Sequence, residues 1–169
     1  ATAIAGTDGM VTDEPGILLA GFFADCVPIF AVDPVGPRIG LAHAGWRGTL
    51  GNIAGRLVEA LHDIYSSEPA DLLVWLGPAI GPCCFAVQED LAERFVREFP
   101  FTPVQRRSDG VFIDLRGLNR ELLIRSGVTP SNIAVSDDCT MCRPERFFSH
   151  RGEGPRTGRM AGLIGIRPW

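Results

Sequence analysis

Lysine is absent from the chain, and all 16 of its basic residues are arginine. A chain without lysine forms no lysine Schiff base and supplies no Walker-type phosphate lysine. Long hydrophobic runs are missing as well, because no apolar stretch reaches the roughly 18 residues that read as a membrane-spanning helix. These absences exclude both lysine chemistries and predict that the chain does not cross a membrane.

A secretory pattern is also missing. Residues 1–9 have neither the basic start nor the apolar core of a signal peptide, and the chain does not begin with methionine. We therefore expect a start that is processed, trimmed or missing. The five cysteines are odd in number and two of them are adjacent, whereas secreted disulfide frameworks have spaced, even-numbered cysteines. A reduced cytoplasmic location is the better prediction.

Charge is unevenly distributed along the chain. Residues 1–142 hold 10 arginines and 18 acidic residues, while residues 143–169 hold 6 arginines and 2 acidic residues. A basic end on an acidic body favours a local anion site over a nucleic-acid surface, which needs a broader basic face. A solvated tail is the alternative interpretation.

Hydrophobic patterning predicts a mixed fold. The 169 residues, 46% of them hydrophobic, suffice for one domain with a sizeable core. Apolar runs and helical spacing predict strands at residues 17–23, 27–32, 38–43, 72–76, 111–115, 133–135 and 160–166, and helices at residues 50–65, 88–99 and 116–126. Because strands and helices do not alternate regularly, we predict a single α+β (mixed α/β) domain over residues 1–169, with mixed β-sheets flanked by helices.

Polar residues at the ends of buried strands are the first candidates for chemistry. Asp25 and Cys26 stand between two apolar runs, and His43 ends the strand predicted at residues 38–43, on the same face as Ile39 and Leu41. A thiol and an imidazole suit zinc or copper, and also a nucleophile with its base. If the strands are neighbours, both side chains face one site. A capped turn with a buried cysteine and a structural histidine are the alternatives.

Two glycine-rich segments are candidate ligand contacts. Residues 45–48 form a turn that opens a helix, so their backbone N–H groups together with Arg47 are suited to hold an anion. Residues 77–85 contain two Gly-Pro pairs and form a rigid loop, which suits the wall of a pocket for a flat ligand. A simple turn would explain the same loop.

The C-terminal third adds aromatic and basic groups. Phe147 and Phe148 are suited to stack on a base, and Arg151 and Arg159 to bind phosphate, although a phenylalanine pair also suits a core. Residues 139–142 form a CxxC. Since no second CxxC exists, we argue against a redox pair or half of a zinc ribbon and expect Cys142→Ala to be nearly silent.

Several segments occur in order from one end of the chain to the other: residues 7–12 (TDGMVT), 24–28 (ADCVP), 43–48 (HAGWRG), 76–85 (LGPAIGPCCF), 138–140 (DCT), 147–151 (FFSHR) and 158–160 (GRM). As an ordered set they resemble the YfiH family, also called the laccase-domain, polyphenol oxidase or purine nucleoside phosphorylase family. The chain is identified as a member of that family.

The resemblance implies one metal centre, usually zinc, held by two histidines and one cysteine. Cys26 and His43 match two of these ligands. The third is a histidine in a Gln-Val-His-Gly-like motif upstream of Thr7, and this sequence has no such segment. His62 and His150 do not match that position. We therefore expect either a chain shortened at its N-terminus or an incomplete site.

The resemblance also implies phosphorolysis of adenosine, inosine, guanosine and methylthioadenosine to the base and ribose 1-phosphate, together with adenosine deamination. The expected partners are a purine nucleoside and phosphate, with no nucleic acid or membrane, in a monomer or weak homo-oligomer. The predicted catalytic residues are Asp25, Cys26 and Arg47. The predicted substrate and phosphate contacts are Arg47, Gly48, Cys84, Phe85, Phe148, Arg151 and Arg159.

Other functions remain open. One is a cysteine hydrolase in which Cys26 is the nucleophile and His43 its base. Another is the copper-dependent polyphenol oxidoreductase of older family descriptions. The ligand count argues against a multicopper laccase, because one blue-copper site alone takes two histidines and the chain has only three. A metal-poor fragment without turnover is the non-enzymatic alternative.

Overall fold

The structure, a computed structural model, describes residues 5–168. Within them are ten strands: β1 (Gly9–Thr12), β2 (Leu18–Phe23), β3 (Val27–Asp33), β4 (Arg38–Ala44), β5 (Leu73–Leu76), β6 (Ala86–Val87), β7 (Val104–Arg107), β8 (Gly110–Ile113), β9 (Ile133–Val135) and β10 (Met160–Gly165). The five α-helices in the same residues are α1 (Trp46–Leu50), α2 (Ile53–Tyr65), α3 (Glu89–Glu98), α4 (Leu115–Arg125) and α5 (His150–Glu153). None of these helices is long and apolar enough to cross a membrane.

The strands form three sheets. The central sheet has the order β1-β4-β3-β5-β9, in which β5 and β9 are parallel and the other neighbours antiparallel. A two-stranded ribbon joins β2 to β10, and a three-stranded sheet has the order β6-β8-β7. The predicted α+β class with mixed sheets and flanking helices is confirmed.

The central sheet has an apolar layer on each face. On β3, Val27, Ile29 and Ala31 belong to the main core, which also contains buried residues of α2 and α4. The opposite face packs against the β2–β10 ribbon through a smaller cluster that includes Phe23 and Leu41. Alternation along each strand therefore decides which layer a side chain joins.

The prediction of one continuous helix over residues 50–65 is wrong, because the structure has two helices here, α1 and α2. Asn52 adopts the left-handed conformation, with φ of 54°, so the right-handed helix cannot continue through it. Its side-chain oxygen accepts a hydrogen bond of 3.1 Å from the N–H of Gly55 and so caps α2. A short polar residue tolerates this backbone, which explains the break.

Sequence periodicity also missed or misplaced short elements. The strand predicted at residues 111–115 ends at Ile113, because Asp114 caps α4 by accepting a 2.9 Å hydrogen bond from Gly117. β1, β6 and β7 were not predicted. They have four residues or fewer, and the three residues that end β7 are exposed, so they carry little apolar signal.

Asp33, at the end of β3, ties the β3–β4 hairpin to the end of α2. Its buried carboxylate accepts hydrogen bonds from the N–H of Val35 (2.9 Å), from Arg38 (2.9 Å) and from the hydroxyl of Ser67 (2.6 Å). Burial raises the pKa of Asp33, but these hydrogen bonds and one from Gly36 outweigh it, so the pKa is lowered overall.

We expect Asp33→Asn to lower the free energy of unfolding at pH 7 by about 2 kcal/mol, because the charge-assisted hydrogen bonds weaken. Because the pKa of Asp33 is lower in the folded chain than in the unfolded one, its carboxylate stabilises the fold at pH values above the unfolded pKa of about 3.9. This stabilisation is lost as the pH falls through the folded-state pKa. Urea unfolding at pH 7 and at decreasing pH should therefore show a shrinking difference from the parent chain. The exposed Asp109→Asn is the control, and a difference that stays constant as pH falls would contradict the prediction.

Candidate functional site

Cys26 and His43 meet at one end of the β3–β4 pair. The two strands are antiparallel neighbours, with Pro28 opposite His43. Cys26 lies two residues before Pro28, so the period of two places its side chain on the same face as that of His43. The condition set from the sequence, that the two strands be neighbours, is confirmed.

The thiol and the imidazole border the same small space beside Gly45. A Cβ atom built on Gly45 would lie 2.9 Å from Cys26 Sγ and 3.9 Å from His43 Nε2, so a side chain here would displace the thiol. The imidazole ring packs against Phe23, with ring centroids 5.1 Å apart. His43 thus extends the Ile39 and Leu41 face of β4, as the alternation predicted.

Burial controls the charge of both groups. Burial and the negative charges of Asp25 and Asp8 raise the pKa of Cys26 to about 11, although the charge of Arg159 lowers it. Burial lowers the pKa of His43, and Asp8 opposes that shift. A protonated thiol is a poor nucleophile at neutral pH and must lose its proton to bind a metal, whereas a neutral imidazole is already the form that binds one.

The pair fits part of a zinc site. One thiol and one imidazole, close together and half-buried, are donors that zinc prefers. Within residues 5–168, the only cluster of three or more such ligand groups lies elsewhere and consists of four thiols. The described residues therefore offer two side-chain ligands at this place, Cys26 and His43.

Asp25 connects the pair to three distant segments of the chain. Its carboxylate accepts one hydrogen bond of 2.7 Å from the hydroxyl of Thr140 and another of 2.6 Å from the backbone N–H of Arg151. Its carbonyl accepts a third, of 2.9 Å, from Ile80. The residue is buried and has a positive φ of 86°. Both carboxylate oxygens are therefore engaged, and these contacts fix the backbone next to Cys26.

An open cavity of about 450 Å³ lies beside this arrangement. Its lining residues are Trp46, Phe85, Ala86, Val87, Gln88, Leu91 and Arg151. The guanidinium of Arg151 donates a 2.7 Å hydrogen bond to the carbonyl of Ala86 and lies 5.4 Å from the centre of the Phe85 ring. Arg47 lies over the ring of Trp46 at 4.1 Å. Two aromatic rings and Arg151 therefore line one open space, and Arg47 lies over one of those rings.

The remaining predicted contacts have different surroundings. α1 has only five residues, and a Cβ on Gly48 would lie 3.1 Å from the carbonyl oxygen of His43, so Gly48 permits close packing of α1 on β4. Phe148 is exposed and its ring packs on Gly158. Arg159 donates hydrogen bonds to backbone carbonyls of its own loop, and its charge acts on Cys26.

Cys84, predicted as a substrate contact, has its thiol in a separate cluster with Cys83, Cys139 and Cys142. This cluster could hold a metal ion. Burial, together with hydrogen bonds involving Cys139 and Cys142, raises the pKa of Cys83 to about 11. Burial also raises the pKa of Cys139, but hydrogen bonds from the N–H groups of Gly81 and Cys142 and from nearby thiols lower it to about 7.

Sequence reasoning missed three contributors to the site. Trp46 lines the cavity, Thr140 holds the Asp25 carboxylate, and Asp8 acts on both Cys26 and His43. All three stand inside the segments that carry the family resemblance. No periodicity marks them, because their roles depend on contacts between loops far apart in the chain.

Comparisons with known proteins agree on one family. The family described as multi-copper polyphenol oxidoreductase laccase matches residues 1–167. Purine nucleoside phosphorylase YlmD of Geobacillus stearothermophilus is 46% identical over 171 residues, covering 99% of this chain and 62% of that protein. Adenosine deaminase RL5, from an unknown prokaryotic organism, is 36% identical over 162 residues, covering 93% of this chain and 61% of that protein.

Solved structures agree with the sequence comparison. The crystal structure of the hypothetical protein YfiH of Bacillus licheniformis is similar at a TM-score of 0.89 and 40% identity, covering 95% of this chain and 62% of that one. The chain thus spans a little over three fifths of the length of these relatives.

Proposed function

The chain belongs to the multi-copper polyphenol oxidoreductase laccase family, and from this premise we propose that it is a zinc-dependent purine nucleoside phosphorylase with adenosine deaminase activity. The YfiH resemblance inferred from its motifs is confirmed. The relatives carry the names purine nucleoside phosphorylase and adenosine deaminase. Activity, substrates and zinc are proposals for this chain, which we treat as one domain over residues 1–169.

One observation carries the proposal: the Cys26–His43 pair and the aromatic, arginine-lined cavity are joined through consecutive residues. Gly45 borders the pair, and the next residue, Trp46, lines the cavity. Asp25 precedes Cys26 and binds the backbone of Arg151, which also lines the cavity. A ligand in the cavity would therefore lie beside the pair.

Phosphorolysis places clear demands on such a site. The bond between the ribose C1′ and the purine nitrogen breaks, a phosphate oxygen bonds to C1′, and the base leaves with a proton on nitrogen. Trp46 and Phe85 line the cavity and offer aromatic surface to a purine. The guanidinium of Arg151 lines the same cavity and suits phosphate, and that of Arg47, which lies over the Trp46 ring, is the second candidate for the anion. Positive charge around the cavity holds the anion close to the ribosyl carbon.

Deamination requires water in place of phosphate, with ammonia released from the purine. Cys26 and His43 would hold zinc, which when bound supplies a Lewis acid and a water of lowered pKa. Asp25 keeps Cys26 in place through its contacts with Thr140 and Arg151. We also propose a reduced cytoplasmic location, because all five cysteines are free thiols in the structure.

The structure favours these reactions over the alternatives. A cysteine hydrolase needs a thiol of lowered pKa, whereas burial and neighbouring carboxylates raise the pKa of Cys26. A multicopper oxidase needs many histidines, and this chain has three, of which His62 contacts the carbonyl of Ser67 at the end of α2.

The test is product analysis with metal-analysed protein. Inosine and adenosine are incubated with and without phosphate, and the products are separated by chromatography. We expect hypoxanthine from inosine only when phosphate is present, and inosine from adenosine in its absence. No product from either nucleoside, together with no inosine binding by calorimetry, would contradict the proposal.

Arg151→Ala is expected to raise the KM for phosphate about tenfold to a hundredfold, with a smaller effect on the KM for inosine. The reason is that a charge-assisted contact to an anion contributes about 1.5–3 kcal/mol. The backbone N–H that binds Asp25 stays in the variant. Steady-state kinetics with varied phosphate measure the effect, and Arg56→Ala, an exposed arginine on α2 that does not line this cavity, is the control. Equal KM values for phosphate in both variants would remove Arg151 from the anion site.

A further inference from the structure

Four thiols converge at a place separate from the Cys26–His43 pair. The Sγ atoms of Cys83, Cys84, Cys139 and Cys142 all lie within 4.8 Å of one another. Cys142 Sγ is 3.6 Å from Cys83 Sγ and 3.4 Å from Cys84 Sγ. Four of the five cysteines of the chain are therefore gathered in one small volume.

The fold brings these thiols together from two distant segments. β5 and β9 are parallel neighbours, so the segments that follow them begin side by side at the carboxyl ends of these strands. An isolated parallel bridge then pairs Ala79 with Cys139, and the N–H of Thr140 donates a 3.1 Å hydrogen bond to the carbonyl of Ala79. The N–H of Gly81 donates a 3.2 Å hydrogen bond to Cys139 Sγ.

The spacing of the sulfur atoms is that of a single tetrahedral ion. Four sulfurs at about 2.3 Å from zinc in a tetrahedron are about 3.8 Å from one another. The two shortest contacts are 3.4 and 3.6 Å, and the four atoms are within 4.8 Å, so small side-chain movements reach that geometry. In a four-iron cluster each sulfur binds a different iron, and the sulfurs are much farther apart.

A disulfide explains less of the arrangement. It would join two of the four sulfurs at about 2.05 Å and leave the other two beside it without a role. Cys83 and Cys84 both approach Cys142, at 3.6 and 3.4 Å, and all four thiols are free in the structure.

We propose that Cys83, Cys84, Cys139 and Cys142 bind one zinc ion in a closed, structural site. All four coordination positions are filled by protein, so this ion has no open position for substrate. Its role is to lock the loop of residues 77–85 onto residues 139–142. The first segment carries Phe85 of the cavity wall, and the second carries Thr140, which holds Asp25.

The prediction made from the CxxC alone is therefore revised. A zinc ribbon was set aside because no second CxxC exists, but the adjacent pair Cys83-Cys84 supplies the other two sulfurs. The expectation that Cys142→Ala is nearly silent is replaced by the loss of a ligand. No rule on sequence spacing connects Cys83-Cys84 with Cys139 and Cys142, because 55 to 59 positions separate the cysteines of one pair from those of the other.

The test uses the 169-residue chain with the first pair removed, Cys26→Ser together with His43→Ala, purified without chelator. We expect one zinc per chain by mass spectrometric metal analysis. Adding Cys142→Ser should weaken zinc binding on the order of a hundredfold or more, measured by competition with a chelating dye. Cys142 is exposed, so its replacement leaves the core intact. Met141→Ser, at its exposed neighbour, is the matched control and should keep the zinc.

Cobalt substitution gives a readout independent of activity. In the same background we expect thiolate-to-cobalt charge-transfer absorption with the intensity of four thiolates, which Cys142→Ser reduces and Met141→Ser does not. The rate at which the four thiols react with an alkylating reagent should rise when a chelator is added.

Three results would overturn the proposal. The first is a protein without bound metal whose thiols react equally fast with and without chelator. The second is an intact mass two hydrogens below the reduced mass, which would establish a disulfide among these cysteines. The third is zinc binding that is unchanged by Cys142→Ser. Because all variants lack Cys26 and His43, each result is independent of the catalytic proposal.

Discussion

His43→Ala is expected to remove the zinc held by Cys26 and to lower kcat/KM for inosine phosphorolysis by at least about a hundredfold. The imidazole is one of two side-chain ligands that residues 5–168 supply at this place, and its Nε2 borders the same space as Cys26 Sγ. Alanine at this position keeps the β-strand and removes only the ring. Metal analysis and steady-state kinetics on the same preparation measure both effects.

The matched control is His62→Ala, which removes an exposed histidine from α2. It should keep the metal content and the kinetics of the parent chain. If both metal sites load, His43→Ala should retain the ion of the four-thiol cluster and lose only the other one. Full zinc content with full turnover in His43→Ala would refute the assignment of the Cys26–His43 pair as the metal site.

The Cys26–His43 pair could be predicted from the sequence because it depends on local rules. The apolar runs predicted two strands, alternation placed His43 with Ile39 and Leu41, and the pairing of the two strands, set as a condition from the sequence, is met in the structure. Neither prediction requires knowledge of a distant segment. The motif resemblance then supplied the chemical meaning of this cysteine and this histidine.

The partners of Asp25 could not be predicted in the same way. Thr140 and Arg151 are 115 and 126 positions away, and each makes its contact from a segment that carries no periodic signal. A buried carboxylate requires hydrogen-bond donors, but its sequence does not say which loops provide them. The four-thiol cluster was missed for the same reason.

Local backbone conformation accounts for the errors in the helices and strands. Hydrophobic spacing continues from Leu50 through Leu57 and Leu61, so periodicity alone joins α1 to α2. The left-handed backbone at Asn52 interrupts the hydrogen bonds without interrupting the apolar face. The small three-stranded sheet depends on pairing with β8, and its edge strand β7 is mostly polar.

The contacts around Asp25 relate the two proposed metal sites to each other. Asp25 precedes Cys26, and its partner Thr140 follows Cys139 of the four-thiol cluster. Its second partner, Arg151, supplies a side chain to the cavity. One buried carboxylate therefore contacts residues next to Cys139 and in the cavity wall, and it directly precedes Cys26. A change at Asp25 should affect stability and metal binding together.

Asp25→Ala is expected to lower the free energy of unfolding by about 3–4 kcal/mol. Two hydrogen bonds to a buried carboxylate contribute about 1.5–3 kcal/mol each, and their loss leaves the Thr140 hydroxyl and the Arg151 N–H without this acceptor. Asp25→Asn keeps one oxygen acceptor and a residue that tolerates positive φ, so its cost should be about half. Urea unfolding monitored by fluorescence measures both variants.

A double-mutant cycle with Thr140→Val isolates the contact itself. The 2.7 Å hydrogen bond between two buried side chains predicts a coupling energy of about 1–2 kcal/mol between Asp25→Ala and Thr140→Val. Thr12→Val, at another buried threonine on β1, should show no coupling with Asp25→Ala. Additive effects at Asp25 and Thr140 would mean that the carboxylate does not depend on this hydroxyl. Any loss of zinc measured in Asp25→Ala would then act on Cys26 through the backbone conformation that the aspartate adopts, with φ of 86°.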